Sequence, residues 1–541
     1  MQRLNVFKNL YFSYLAIVLL AFLLVLVQCK YEHEIIFNVI ENCLFALVLV
    51  SFSLLVRNHK IRRFCGLIAY VGFSVMLILE TLYYLLFKVF VSASTLYLVF
   101  DSNSDESIEF LESYIGFHEI VSAVILFCLI IFSLKKLNKQ YQTIASTFSR
   151  YSLQIILIII ISIGYLKFST HIIYNLPYLF AKSYVEYSEV SKNLEDYANN
   201  PKGNFRDATS PLTKDESGVF VLILGESTVR SNLGIYGYQR QTTPNLSKLS
   251  DELWIYNDVI SSNSHTIESV SKMLTLGNYE NPNLILQGSI VQLANTAGFQ
   301  THWLSNQRPI GMYESLITKM ARSSQKTNFL TTMHGRHNRI LDESLLPELN
   351  TLLESPSSAP KFIVIHLAGT HMLYQNRYPE NQIIFRDNPP NIRHASPSNI
   401  KTVNHYDNAV YYNDFIIRSI IEQIKQLNTQ SAVLYVSDHG EELFQDADFA
   451  GHNEDVATKS MYEVPFILWQ SEDYKKEANL TYAPDRSYMT DDFFHSMANL
   501  LQIKSNVVDS TRSIFSEYFR PRKRLLLNDK NYDTTYSQSR E

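Results

Sequence analysis

Five apolar runs crowd the first third of the chain, near residues 10–29, 35–56, 66–90, 117–134 and 152–168. Most come close to the roughly 20 residues that a helix needs to cross the hydrocarbon core of a bilayer, so the sequence predicts five transmembrane helices within residues 1–168. The first run is too long for a removable signal peptide and lacks a small-residue cleavage site, so it is expected to remain as an anchor. Orientation follows from the basic residues of the short loops. Arg3 and Lys8, then Arg57, Lys60, Arg62 and Arg63, then Lys135, Lys136, Lys139 and Arg150 fall on one side of such a bundle, which marks that side as cytoplasmic. The opposite loops carry Lys30 and the acidic stretch DSNSDESIEFLESY, with Lys88 near the outer end of the third span. An odd number of spans therefore exports everything after about residue 170, across residues 169–217 and 218–541.

The exported part has its own texture. Residues 169–217 are first Tyr-rich and then polar, ending in NNPKGNFRDATSPLTKDESG, and are expected to form a membrane-surface helix followed by a linker. From Val219 onward, short β-rich runs alternate with helical stretches: VFVLILG, LWIYNDVI, THWLS, KFIVIHLAG, AVLYVSD and VPFILW. That alternation predicts an α/β domain over 218–541 with a mostly parallel central sheet. The four cysteines, Cys29, Cys43, Cys65 and Cys128, all lie in or beside the apolar runs. The exported domain must therefore hold together without disulfides, which about 320 residues of core can do. A net charge of −5 averages a basic cytoplasmic face with a mildly acidic exported part, and no basic patch points to nucleic acid.

In parallel α/β sheets, ligands gather beyond the carboxyl ends of the strands. Those ends carry Glu226 in VLILGEST, Thr266 in VISSNSHTIESVSKML, His371 in VIHLAGTH, Asp438 and His439 in YVSDHG, and His452 in FAGHNED. Carboxylates, imidazoles and a hydroxyl form a donor set suited to zinc. Each residue also has a plain alternative. Asp438-His439-Gly440 can be a turn with a left-handed glycine, Glu226 can open a helix, and Thr266 can be a helix N-cap. His366, inside an apolar strand, is kept out of the site as a buried histidine, and His265 is read as a loop residue. Thr266 is otherwise the candidate nucleophile, since a metal or base can stabilise its alkoxide beside a helix N-terminus.

Taken together, LGESTVRSNLGIYGYQRQTTPNL, the Thr266 segment, the HLAGTH and YQNRYPE pieces, YDNAVYYND and YVSDHGEE resemble the phosphoethanolamine transferases of the Gram-negative inner membrane. The resemblance implies an α-helical membrane domain plus an alkaline-phosphatase-like (sulfatase-like) periplasmic α/β domain. It implies zinc held by Glu226, Thr266, Asp438 and His439, with Thr266 also the nucleophile and with His371 and His452 handling the substrate phosphate or a second zinc. The implied reaction is a two-step transfer from phosphatidylethanolamine to lipopolysaccharide through a phosphoethanolamine-threonine intermediate. The lipid A-modifying branch typically carries disulfides in its exported domain, so their absence points to the core heptose branch. Asn103 and Glu106 resemble the family's Asn-x-x-Glu loop, which implies binding of the donor's ammonium group; the plain alternative is a solvated amphipathic helix. Glu41 and Glu80, within spans, are expected to make hydrogen bonds between helices. Three other functions compete: lipid A modification, phosphoglycerol transfer by a similarly built enzyme, and a catalytically silent envelope scaffold.

Overall fold

The computed structural model describes residues 2–29, 32–101, 104–144, 151–193, 197, 199–214, 217–307, 316–331 and 340–536. They divide into two compact units, one of Met1–Phe100 with Leu111–Ser188 and one of Asp101–Phe110 with Glu189–Glu541.

In the first unit, the apolar runs form α1 (Gln2–Gln28), α2 (His33–Leu55), α3 (His59–Phe87), α6 (Phe117–Thr143) and α7 (Ser152–Phe168); between α3 and α6 come α4 (Ala93–Asp101) and α5 (Ser104–Tyr114), of which Asp101–Phe110 belongs to the second unit. Four of these, α1, α2, α3 and α6, are long and apolar enough to cross a membrane, and α7 is a shorter apolar helix. Its 17 residues sit at the short end of what a span can use. Tyr14, Tyr70, Phe73, Leu77, Leu126 and Leu137 form the interior of this unit, while Leu19, Leu23, Phe127, Phe132 and Ile160 are exposed. Apolar side chains on the outside suit lipid as the solvent. Glu41 and Glu80 are buried. Glu80 accepts from Asn38 and Asn42 at 3.1 and 3.2 Å, and Glu41 accepts from Asn175 at 2.7 Å, which are the bonds between elements that the sequence suggests. Beyond α7, a short turn at His171–Tyr174 leads into α8 (Leu176–Asn193).

The second unit is built on a seven-stranded sheet. Its strands are β1 (Val219–Gly225), β2 (Leu253–Ile255), β3 (Gln300–Ser305), β4 (Lys326–Phe329), β5 (Lys361–His366), β6 (Ser431–Ser437) and β7 (Phe466–Gln470). The spatial order is β2-β7-β6-β1-β5-β3-β4. Only β7 runs against its neighbours, and the pairings of β1, β3, β4, β5 and β6 are all parallel. Strands buried on both faces read as continuous apolar runs, and β1 shows how: Phe220, Leu222 and Leu224 enter one core, Val219, Val221 and Ile223 the other. Helix α9 (Thr266–Leu274) packs in the first core through Val270, Met273 and Leu274. The long α10 (Pro397–Lys425) packs in the second through Tyr412, Ile416, Ile420 and Ile424. In register, Gly225 pairs with Ser437, Leu224 with His366, and His366 with Ser305. The carboxyl ends of β1, β3, β5 and β6 therefore finish side by side. The described cysteines are free, and all four belong to the first unit.

Candidate active site

Glu226 follows β1, Asp438 and His439 follow β6, and Thr266 opens α9. The Thr266 hydroxyl donates to Glu226 Oε1 at 3.0 Å and lies 3.3 Å from His439 Nε2. His439 Nε2 is 3.5 Å from both Glu226 Oε1 and Asp438 Oδ2. The structure thus brings together four of the six residues that the strand ends single out, with Glu226, Asp438 and His439 buried. Thr266 is the first residue of α9 and His265 stands at the N-cap without a side-chain capping bond. The Thr266 hydroxyl is turned to the carboxylate and imidazole, so the N-cap alternative does not describe it.

Backbone geometry fixes these groups. Ser227 adopts a left-handed conformation, φ 57°, uncommon for a residue with a Cβ. There its N–H donates to Asp438 Oδ1 at 2.9 Å and its hydroxyl to Glu226 Oε1 at 2.9 Å. Gly369, φ 54°, lets the chain after β5 pass so close to Glu226 that a Cβ would sit 2.8 Å from the Glu226 carbonyl oxygen. The turn at Asp438-His439-Gly440 differs from the sequence alternative. Gly440 is absent from the positive-φ residues, and a Cβ there would lie 2.1 Å from the Ser460 carbonyl oxygen. Close approach of the backbone, not left-handed torsion, is what demands glycine.

The donor set fits a metal cation. Glu226, Asp438 and His439 offer ligand atoms all within 4.8 Å of one another. Asp438 Oδ2 is buried without a hydrogen-bond partner, a costly state for a carboxylate oxygen unless something positive faces it. His439 Nδ1 donates to the Gly440 carbonyl at 2.8 Å, which directs Nε2 toward the cluster as ligating histidines require. The same groups perturb one another's titration. Burial and the Glu226 charge push Asp438 up to about 7. Burial works against His439, yet the Asp438 and Glu226 carboxylates raise it to about 10. Burial also opposes ionisation of Glu226, but the His439 hydrogen bond and charge hold it well below the usual carboxylate range.

The remaining predicted residues surround this cluster. His452 Nδ1 lies 3.1 Å from Glu441 Oε1, and its ring is 4.2 Å from that of His439. His439, Glu441 and His452 make a second group able to face one ion. Burial, with His439 and His371 close by, pushes His452 well below 6.5, and burial raises Glu441 to about 8. His371 sits after β5 with Nδ1 3.3 Å from the Arg377 guanidinium. His366 is buried at the end of β5 and pushed by burial down to about 4, in keeping with its exclusion. Asn103 and the side chain of Glu106 lie outside the described residues.

Several groups escape a reading of the sequence. Gln307 donates to Glu226 Oε2 at 2.9 Å from beyond β3. Asp342 accepts the Ala368 and Gly369 N–H groups, both at 2.9 Å, and so shapes the loop against Glu226. Glu441 is adjacent to the Asp-His-Gly motif, which is the one signal that could have found it. His265 is buried, with its ring 5.2 Å from that of His452. It is a wall of the site and not a loose loop residue, because the Glu454 N–H donates to its Nε2 at 3.3 Å.

The Sulfatase family model matches residues 219–503, the span that holds the sheet and every residue of the cluster. The phosphoethanolamine transferase EptC of Escherichia coli strain K12 is 30% identical over 479 residues, covering 82% of this chain and 81% of that protein. The chain belongs to the phosphoethanolamine transferase family. The family member CptA of Salmonella typhimurium is 29% identical over the same shares. Among solved structures, the C-terminal periplasmic domain of Escherichia coli EptC, in complex with zinc, superposes with a TM-score of 0.58 at 32% identity, covering 61% of this transferase and 96% of that chain. The integral membrane protein EptA from Neisseria meningitidis matches 95% of this transferase and 98% of its own chain, with a TM-score of 0.64 at 19% identity. That second likeness extends the shared fold from the C-terminal domain to nearly the whole chain.

Proposed function

We propose that this transferase moves phosphoethanolamine from phosphatidylethanolamine to lipopolysaccharide, at the core heptose, with Thr266 as the nucleophile. The observation that carries the reading is the Thr266 hydroxyl held 3.0 Å from Glu226 and 3.3 Å from His439, beside the buried Asp438 Oδ2, which accepts no hydrogen bond. Glu226, Thr266, Asp438 and His439 would hold zinc, the metal in the related EptC domain. When bound, zinc supplies the positive charge that lowers the pKa of a hydroxyl and balances phosphoryl oxygens.

The chain's own residues do the rest. Thr266 Oγ1 passes its proton to Glu226 Oε1, the carboxylate oxygen to which it donates at 3.0 Å and from which it recovers the proton when it departs in the second step, and forms a bond to the donor phosphorus. The bond from phosphorus to the glyceride oxygen breaks, and diacylglycerol leaves with a proton from His371, whose imidazole, though burial opposes its charge, is raised above its ordinary 6.5 by the Glu109 and Glu226 carboxylates. In the second step an acceptor oxygen attacks the same phosphorus, Thr266 Oγ1 departs, and the imidazole takes the acceptor's proton. Glu441 orients His452 through its 3.1 Å contact. Asn103 and Glu106 are assigned to the donor's ammonium group on their resemblance to the family's Asn-x-x-Glu loop.

Lipid substrates call for a membrane anchor. We place residues 1–168 in the inner membrane as five spans, 169–217 as a surface helix and linker, and 218–541 in the periplasm as the catalytic domain. The Lys and Arg asymmetry of the loops supports this, as does the periplasmic location of the related EptC domain. Purified full-length protein given fluorescent phosphatidylethanolamine or phosphatidylglycerol should release diacylglycerol from the first alone. Release only from the glycerol lipid would make it a phosphoglycerol transferase. Mass spectrometry of lipopolysaccharide from cells with and without the gene should place the added group on core heptose, and a group on lipid A would correct the acceptor.

A further inference from the structure

We infer that Glu109, acting through Arg377, positions His371 for the transfer reaction. Glu109 lies on α5, in the Asp101–Phe110 segment that clusters with the second unit. Its Oε2 accepts from Arg377 NH2 at 2.7 Å. The same guanidinium donates to the carbonyl of Met372 at 2.8 Å and, through Nε, to the carbonyl of His371 at 3.1 Å. It also lies 3.3 Å from His371 Nδ1, and Glu109 Oε2 is 3.7 Å from that nitrogen. One carboxylate and one guanidinium thus grip both the backbone and the ring of His371.

The segment needs such a grip. Between the end of β5 at His366 and the start of α10 at Pro397, its regular structure among the described residues is a single turn at Tyr374–Asn376. Leu373 adopts a left-handed φ of 57°, which adds strain to be held in place. A planar guanidinium with a charged partner keeps its fork in one orientation. With the partner removed, solvent can take the guanidinium, and the carbonyls of His371 and Met372 lose their donor. Arg377 and Glu109 are only 17% and 22% exposed in their side chains, so the pair is shielded enough to act as a clamp and not as a floating surface bridge. Burial opposes the Glu109 charge, but the His371 and Arg377 contacts hold its carboxyl below the usual range. Glu109 is a positioning residue: it reaches the reacting atoms through His371.

The inference rests on the transfer reaction proposed above, and its test separates the two. Full-length Glu109→Gln, Glu109→Asp, Arg377→Gln and the double Glu109→Gln/Arg377→Gln would be assayed in detergent with fluorescent phosphatidylethanolamine, alongside hydrogen exchange of residues 368–378. Glu109→Gln should lower kcat by roughly tenfold or more, since small misplacements of a reacting group are costly, while leaving KM within about twofold. Arg377→Gln should do the same, the double variant should be no worse than either single one, and Glu109→Asp should recover part of the rate. Amides of residues 371–377 should exchange faster in Glu109→Gln, with zinc content and Tm at wild-type values. A wild-type kcat in Glu109→Gln, a change confined to KM, or additive losses would overturn the inference. If wild-type protein turns over neither lipid, the proposed function fails, and exchange alone decides: faster exchange in Glu109→Gln upholds the clamp and equal exchange removes it.

Discussion

Thr266, Asp438 and His439 meet in one cluster but are expected to fail in different ways when replaced. Thr266 contributes a hydroxyl, whereas Asp438 and His439 contribute an anion and an imidazole whose free atoms face the cluster. Asp438→Ala and His439→Ala should therefore lose bound zinc, measured by elemental analysis of purified protein, while Thr266→Ala keeps most of it. Thr266→Ala should nonetheless lose at least about a thousandfold in rate, the several kcal/mol that an activated nucleophile supplies. Full zinc in Asp438→Ala would show that the metal sits elsewhere. These residues were legible because strand ends in an α/β sheet can be read from apolar runs alone. Glu441 was hidden in plain sight: YVSDHGEE shows it, but only folding sets its carboxylate 3.1 Å from His452, a residue 11 positions away. Gln307 and Asp342 carry no local signal, since their roles come from contacts across long stretches of sequence, and Glu109 and Arg377 lie in stretches that stand out in the sequence without showing that the two meet 268 positions apart.

Along the elements, six of the seven strands announced themselves as apolar runs. The exception is β4, Lys326–Phe329, whose residues are partly or fully exposed at the edge of the sheet, so the chain there needs no apolar alternation. The reversed direction of β7 was also beyond reach, because its run looks the same in either sense. A buried carboxylate on α10 gives this layer a pH signature. Burial pushes Asp414 up to about 6, although the Leu246 and Asn245 backbone N–H groups donate to it. A carboxyl group raised on folding stabilises the fold below its ordinary pKa of 3.8 and loses that contribution as pH climbs through the folded value. From about pH 4 to 7 the loss is on the order of 3 kcal/mol. Asp414→Asn removes the titrating group. Unfolding of wild type and Asp414→Asn across that range should show the stability of wild type falling more steeply with pH, and parallel curves would mean that Asp414 ionises as it does in water.

For the whole molecule, the apolar runs showed a membrane unit joined to an α/β unit, and the loop charges predict its orientation. What they did not show is that Asp101–Phe110, between α3 and α6, clusters with the second unit, because an amphipathic stretch does not name the surface it will meet. The orientation predicts that a C-terminal alkaline phosphatase fusion is active in cells and that residues 57–63 and 135–151 are shielded from reagents outside the inner membrane. An inactive fusion would reverse the topology. The covalent step can be trapped by withholding the acceptor. Full-length protein supplied with phosphatidylethanolamine and no acceptor should accumulate phosphoethanolamine on Thr266, since only slow attack by water can complete the second step. Mass spectrometry of the tryptic peptide Leu249–Lys272 should then show one phosphoethanolamine increment on Thr266, absent from Thr266→Ala. An unmodified peptide in a reaction that still releases diacylglycerol would contradict the account, leaving Thr266 as a ligand and making water or the acceptor the direct nucleophile.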